Sequence, residues 1–243
     1  MGQIRREVIW LHFSHNDLCL AGLMASPPTL APSTKETTNY ARLCRLLVDG
    51  GTKALRYTFD KFHSPANLFN VLKAGSAGHL TLQSLKKKKI INATQWGKLY
   101  PSPPWSVTSE DFDITLLMVL LRNICGRAAP ATGWDSLPSA SDTSVEANIV
   151  RVKFYRNSVY GHAIQASVDD PTFNTLWQDI SAALVALGVD IAAINKLQTE
   201  SMDQEREGHY RELLRDWRKD EDSVKDKLDK MEGMNSKWTD CKL

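Results

Sequence analysis

The stretch SVEANIVRVKFYRNSVYGHA, residues Ser144–Ala163, decides the fold, because its apolar residues recur at the spacing of a helix. An arginine stands among them. At about 100° per residue, apolar residues spaced three or four apart fall on one side of an α-helix. That side comprises Val145, Ile149, Val152, Arg156, Val159 and Ala163. The spacing predicts an amphipathic helix, and a Thr-x-x-Glu pattern at Thr143 and Glu146 predicts a capping box at its start. Since a guanidinium keeps its proton, Arg156 must be paired or face a wet cleft.

The neighbouring segments repeat the helical spacing. A helix is predicted in TSEDFDITLLMVLLRNICG, with acidic residues in its first turn and Gly126 as its C-cap. Another is predicted from Asp170-Pro171 to Gly188, and a third over residues 39–62 with a possible kink at Gly50-Gly51. The segment GHLTLQSLKKKKIIN fits either a strand or a helix end. The fold class predicted from these segments is all-α, a helical bundle.

Composition shifts divide the chain into three parts. Residues 1–38 form an arm that ends in a linker rich in Pro, Ser and Thr, and residues 39–188 form the helical domain. Residues 189–243 are helical, highly charged and thin in apolar residues. A heptad there fits either a short coiled coil or a solvated connector helix; its positions are Tyr210, Leu214, Trp217, Val224, Leu228 and Met231. We expect the chain to be a piece of a larger protein.

Charge and cysteine usage exclude some classes of protein. The chain has 243 residues, with 30 basic and 28 acidic side chains, so it is not a histone-like polycation. Its four cysteines are scattered without a CxxC pair, which indicates free thiols in a reducing compartment, and we expect a cytoplasmic protein. No apolar run approaches the roughly 18 residues of a membrane span, so we expect no membrane partner.

Metal and cofactor sites are not predicted. His12, His15 and Cys19 have loose metal-ligand spacing, but no fourth ligand accompanies them. We therefore expect no bound metal and no cofactor.

Arg156 and His162 together suit phosphate chemistry. An arginine binds phosphate in a planar fork and stabilises charge on its oxygens, while a histidine transfers protons near neutral pH. His162 lies about 100° to one side of the stripe on the helical wheel, and Gly161 can loosen the turn before it. One copy offers one histidine, whereas RNA cleavage needs a base and an acid, so a homodimer would complete the set. The predicted dimer interface is Val152, Tyr155 and Val159. On spacing alone, a buried structural arginine remains an alternative.

The segment IVRVKFYRNSVYGHA resembles the Arg-x(4–6)-His motif of the HEPN superfamily. With FDITLLMVLLRNICG and GWDSLP, it is similar to the HEPN domain of the DAZ-interacting zinc-finger E3 ubiquitin ligase and of related animal immune proteins. The resemblance covers roughly residues 38–188. It implies a helical bundle that, in many members, is a metal-independent ribonuclease acting as a dimer. The motif residues fall on Arg156, Asn157 and His162, with a five-residue gap where many active members have four.

Two functions follow from the residues and the resemblance. The first is a dimeric endoribonuclease in which the RNA 2′-OH attacks the adjacent phosphate. Arg156 would stabilise the transition state, His162 would move protons, and Asn157 would orient the phosphate or His162. The lysines Lys86, Lys87, Lys88 and Lys89 would contact the RNA backbone, unless they are a solvated helix end. The second function is a catalytically inert interaction or dimerisation module of a larger immune or ubiquitin-ligase-type protein.

Overall fold

The computed structural model describes residues 33–219, and all regular structure in that range is helical. This confirms the predicted all-α fold class. The compact unit begins at Ser33. The possible metal ligands His12, His15 and Cys19, and the last heptad positions from Val224 onward, lie outside the described residues.

The described helices follow one another with short connections, apart from a long loop before the motif helix. They are α1 (Lys35–Arg45), α2 (Gly51–Phe62), α3 (Leu68–Leu72), α4 (Ala77–Lys87), α5 (Ala93–Leu99), α6 (Ile114–Asn123), α7 (Val145–Gly161), α8 (Asp170–Ala186), α9 (Ile191–Thr199) and α10, which begins at residue 204 and runs to residue 219, the last described. Short 3₁₀ turns cover Pro65–Asn67, Pro104–Ser106 and Ser109–Asp111.

The first two helices form one long rod through a π-helical turn. Leu46–Gly50 is that turn, and it joins the end of α1 directly to α2. A Cβ added at Gly50 would lie 2.7 Å from Leu184 Cδ1, so the glycine lets α8 approach the rod closely. The kink predicted at Gly50-Gly51 is therefore a π-turn against a neighbouring helix.

The motif helix α7 packs chiefly on α8, while α2 packs chiefly on α6. Its stripe residues Ile149, Val152 and Val159 belong to the continuous apolar core, whose large members include Phe59 and Phe112. Because these side chains leave water, burial of the stripe fixes which way α7 faces. The fold therefore turns Arg156 inward.

Local expectations for α6, α7 and α4 differ from the structure. Helix α6 has Asp113 as its N-cap and Ile124 as its C-cap, so the acidic residues precede its first turn and Gly126 lies beyond its cap. The side chain of Ser144, not Thr143, caps α7 by accepting a hydrogen bond from the backbone N–H of Ala147. Glu146 accepts instead from Arg127 Nε. The segment left open between strand and helix is α4, because its buried residues Leu82 and Leu85 are three apart, a helical spacing.

Helices α9 and α10 pack on the same core as the helices before Gly188. Ile194 and Leu214 are fully buried in it, and Trp217 is 4% exposed. Arg45 Nη2 of α1 donates to Glu200 Oε2 at 2.5 Å, just beyond the end of α9. The boundary expected at residue 188 stays a prediction, and the apolar positions Leu214 and Trp217 of α10 face the chain's own core. None of the helices within residues 33–219 has the length and apolarity that crossing a membrane requires.

Gly188 ends α8 as the sequence predicts. Its φ is +99°, and its N–H donates to Val185 O while the N–H of Val189 donates to Leu184 O, the Schellman pattern of helix termination. A Cβ at this position would lie 2.3 Å from Cε1 of Tyr57.

We expect Gly188→Ala to lower the free energy of unfolding by at least about 2 kcal/mol, because a left-handed φ and an overpacked contact each cost roughly 1–3 kcal/mol. Gly97→Ala in α5 is the control, since a Cβ there meets nothing within 4 Å. It should be neutral or stabilising by about 0.5–1 kcal/mol. Urea denaturation of both variants is the measurement, and equal effects would contradict this account of Gly188.

Candidate functional site

Arg156 is almost completely buried, with 1% of its surface exposed. It sits in the apolar stripe of α7, as the helical wheel predicts, and the stripe faces the core. A permanently charged group in that position needs polar partners, because an unpaired buried charge is very costly. Its neighbours therefore define the site.

The side chain of Asn157 brings two arginines to one oxygen. Arg156 donates to Asn157 Oδ1 from Nε at 3.0 Å and from Nη2 at 2.6 Å. Arg218 of α10 donates to the same oxygen from Nη1 at 2.5 Å. An amide oxygen has two lone pairs and no charge, whereas a phosphate oxygen is charged. Two guanidinium groups thus converge on a point that would suit an anionic oxygen.

Trp217 of α10 covers Arg156 from the side opposite α7. The guanidinium carbon lies 4.9 Å from the centre of the indole ring, within the range of a cation–π interaction. The indole Nε1 of Trp217 is buried and has no hydrogen-bond partner among the described residues. Helix α10 therefore closes the arginine off from solvent.

His162 follows directly after the last residue of the motif helix. Helix α7 ends at Gly161, and His162 is its C-cap, with its N–H donating to Val159 O at 3.0 Å. The residue is half-buried. Asp169 is the N-cap of α8. Hydrogen bonds from Thr172 hold the pKa of Asp169 below its ordinary value, and the nearby His162 lowers that pKa further. The turn at Gly161 frees His162 from the helical wheel and leaves it reachable from solvent.

The residues predicted for a dimer interface divide into two groups. Val152 and Val159 are fully buried in the core of one chain, so in this conformation they offer no surface to a second copy. Tyr155 is half-buried beside Asp179 of α8, and burial, with a smaller contribution from that carboxylate, raises its pKa. A contact through Tyr155 stays a prediction.

The four-lysine run lies elsewhere on the bundle. Lys86 and Lys87 end α4, and the run from Lys86 to Lys89 is exposed. Lys86 Nζ stands 4.2 Å from the ring centre of Trp96 in α5. The structure thus gives the run an aromatic neighbour but does not bring it into contact with Arg156. Within the described part of the chain, no cluster of three His, Cys, Asp or Glu side chains is arranged to hold a metal ion.

Two residues at the site were not predicted from the sequence. Trp217 was assigned to a coiled-coil seam, and Arg218 to the charged connector. A signal was present, because Arg211, Arg215 and Arg218 recur at i, i+4 and i+7 and so share one helix face. The sequence pattern does not predict which part of the protein this arginine face contacts.

Comparison with known proteins places the fold in a family. Residues 65–210 match the model of the DZIP3/hRUL138-like HEPN family. The match extends past Gly188 into α10, further than the resemblance read from the motif. No solved structure shows a significant match to this chain.

Two curated relatives share the same similarity. The mouse E3 ubiquitin-protein ligase DZIP3 is 28% identical over 184 residues, which cover 70% of this chain and 15% of the ligase. The human E3 ubiquitin-protein ligase DZIP3 is 28% identical over 172 residues, covering 69% of this chain and 14% of the ligase. The matched region is thus a small part of each ligase. Because the family model covers more than half of the residues, this chain belongs to the DZIP3/hRUL138-like HEPN family.

Proposed function

We propose that this chain is a metal-independent endoribonuclease domain whose site is closed by α10 in the described conformation. The observation that carries the proposal is the placement of Arg156, Asn157 and His162 on and directly after the end of α7, with Arg156 donating to Asn157 Oδ1. A phosphate oxygen in place of that amide oxygen would receive charge-assisted hydrogen bonds from the Arg156 guanidinium, which stays on α7 when α10 leaves. His162, directly after the same helix, supplies an imidazole, the side chain that most often transfers protons in enzymes.

The proposed reaction uses the nucleophile that RNA carries. The 2′-OH loses its proton to a histidine and its oxygen bonds to the adjacent phosphorus. The bond from phosphorus to the 5′-oxygen breaks, and that oxygen takes a proton from a second acid. The products are a 2′,3′-cyclic phosphate and a 5′-OH. Arg156 would stabilise the charge that builds on the phosphorane, and Asn157 would orient the phosphate.

Because cleavage needs a second proton-transferring group, we propose a homodimer. One chain supplies one His162, so a second copy would supply the other. The face of α7 that carries Arg156 is covered by α10, with Trp217 stacked on the guanidinium. Catalysis therefore requires α10 to leave, and we propose that the second copy packs on the face that α10 vacates. Exposed Lys86–Lys89, with Trp96 as a stacking surface, would hold the RNA strand.

An interaction module without chemistry is the second candidate function. The 1% exposure of Arg156 favours it, because an arginine that stays buried binds no substrate. The domain would then serve assembly within a larger immune or ubiquitin-ligase-type protein, as part of a chain like the relatives it matches. We propose the cytoplasm for either function, since Cys44 and Cys125 are free thiols and suit a reducing compartment.

Replacing Arg156 separates stability from activity. We expect Arg156→Leu to leave the free energy of unfolding unchanged or to raise it by about 1–4 kcal/mol, because apolar residues often replace buried charges without loss. The same variant should lose RNA cleavage. Arg122→Leu, at an exposed position on α6, is the matched control; it should leave cleavage unchanged and alter the free energy of unfolding by no more than about 1 kcal/mol, the value of its exposed contact with the Trp134 ring. Urea denaturation and cleavage of single-stranded RNA in EDTA are the measurements; unfolding of the Arg156→Leu variant would make the arginine a structural residue.

Loosening α10 should activate the enzyme. Trp217→Ala removes a large buried side chain, which costs roughly 3–5 kcal/mol in a packed core. We expect faster hydrogen exchange in residues 204–219, a shift from monomer to dimer in sedimentation, and increased cleavage of single-stranded RNA in EDTA. Trp105→Ala is the control, because Trp105 is 74% exposed. Adding His162→Ala to Trp217→Ala should abolish cleavage while leaving the dimer.

The two candidate functions give different results in that experiment. If α10 exchanges faster and no RNA is cut under any condition, the endoribonuclease proposal fails. A stable dimer without cleavage would then favour the interaction module. Cleavage that survives His162→Ala would contradict the assigned roles or indicate a contaminating nuclease.

A further inference from the structure

The arginine face of α10 borders a second feature that the cleavage site does not use. Arg218 contacts Asn157, but Arg215 and Arg211, one and two turns earlier, do not. They line a cleft beside the C-terminal end of α7, with Tyr40 of α1 and Tyr160 of α7 opposite them. The cleft thus joins three parts of the bundle: α1, the end of α7 and α10.

The cleft is small and bears donors on several sides. Its volume is about 190 Å³, below the roughly 300–1,000 Å³ of pockets that take drug-sized ligands. Guanidinium groups come from Arg211 and Arg215, and phenol hydroxyls from Tyr40 and Tyr160. Convergent donors around a small space suit a single tetrahedral oxyanion better than a whole nucleotide.

The balance of charge at the cleft is positive. Glu212 is the one carboxylate among the described residues that line it, against two arginines, and Arg218 stands 5.8 Å from the ring centre of Tyr160. The nearby Glu207 already accepts hydrogen bonds from the hydroxyls of Ser33 and Thr38. Arg211, Arg215 and Arg218 outnumber the carboxylates of Glu212 and Glu207, so an anion entering the cleft meets a net positive field.

Tyr40 adds a donor that stays protonated. Burial raises the pKa of Tyr40 above its ordinary range, and the neighbouring Cys44 raises it further, while Arg211 lowers it slightly. The phenol is therefore neutral at physiological pH and keeps its O–H. The influence of Arg211 also means that its guanidinium lies within electrostatic reach of the hydroxyl.

We propose that this cleft binds one phosphate group, held by Arg211 and Arg215 on one side and by Tyr40 and Tyr160 on the other. The group is either a terminal phosphomonoester or a phosphodiester of an RNA strand, which share this chemistry. The site goes beyond the cleavage proposed above and needs no bond to be broken. Because it is built partly from α10, a bound phosphate also stabilises the docked position of α10.

Gly208 offers a way to block the cleft without changing its charge. It lines the space, and a Cβ added there meets nothing within 4 Å. Gly208→Leu would fill the cleft while keeping every arginine, and leucine favours a helix more than glycine does. Arg215→Gln would remove one charge at an exposed position. Arg206→Gln is the matched control, since Arg206 lies outside the cleft on the same helix.

The experiment is titration calorimetry on the full chain carrying His162→Ala, so that cleavage does not disturb binding. The probes are inorganic phosphate, a single-stranded RNA with a 5′-phosphate and the same RNA with a 5′-hydroxyl, all at constant ionic strength. We expect Gly208→Leu, which fills the cleft, and Arg215→Gln, which removes one charged hydrogen bond, each to weaken binding by at least about tenfold. Arg206→Gln should stay within about twofold of the parent.

The outcomes distinguish a terminal phosphomonoester from a phosphodiester, and they test the cleft separately from RNA cleavage. Binding that requires the 5′-phosphate identifies a terminal phosphomonoester, whereas equal binding of both RNAs identifies a phosphodiester. Absence of binding by every probe, or equal losses in Arg215→Gln and Arg206→Gln, would overturn the proposed site. As a second readout, phosphate at 100 times its Kd should slow hydrogen exchange in residues 204–219 by up to about 100-fold. A failure here leaves RNA cleavage by the wild-type chain as a separate result, so the two proposals stand or fall independently.

Discussion

A guanidinium that cannot lose its proton lies inside an apolar helical bundle, and much of this structure follows from keeping it there. Arg156 occupies a core position on α7, so the core must supply polar contacts at that point. Asn157 supplies an oxygen and Trp217 an aromatic face, and the second of these comes from a helix far along the chain. The docking of α10 is thus tied to the charge of one side chain on α7.

Because of this coupling, α10 is held less firmly than its neighbouring helices, next to the candidate site. Leu214 and Trp217 anchor α10 by burial, and each contributes roughly 1.5–3 kcal/mol. The remaining contacts of α10 are largely polar, such as the hydrogen bond from Tyr210 to Asp49 at 2.7 Å. The described part of α10, held by these two side chains and the partly buried Tyr210, opens at lower cost than α7 or α8, whose stripes run along their whole length. Access to Arg156 is therefore controlled by the least firmly packed helix that touches it.

The sequence predicts α7 and α8 well because their signals are local. An apolar stripe, with residues three or four apart, predicts a helix, and a glycine at position 188 predicts where one ends. Each signal depends on residues of a single helix, and the structure has both. The sequence does not predict which part of the protein covers the apolar stripe of α7. Val152 and Val159, which it predicts at a dimer contact, lie in the chain's own core. Helix α10 was assigned to a connector because charged residues surround Leu214 and Trp217. Which surface two apolar residues meet depends on the path of the chain, which spacing does not encode.

The arginine face of α10 reaches two points that suit an anion. An anion between Arg156 and Arg218 would replace Asn157 Oδ1 and bridge α7 to α10 through charge-assisted hydrogen bonds. An anion between Arg211 and Tyr40 would bridge α10 to α1 and strengthen its docking. A ligand shifts an equilibrium only by its difference in affinity for the two states. Both bridges would therefore slow hydrogen exchange in α10, and Arg215→Gln should remove that slowing only when the phosphate lies in the cleft.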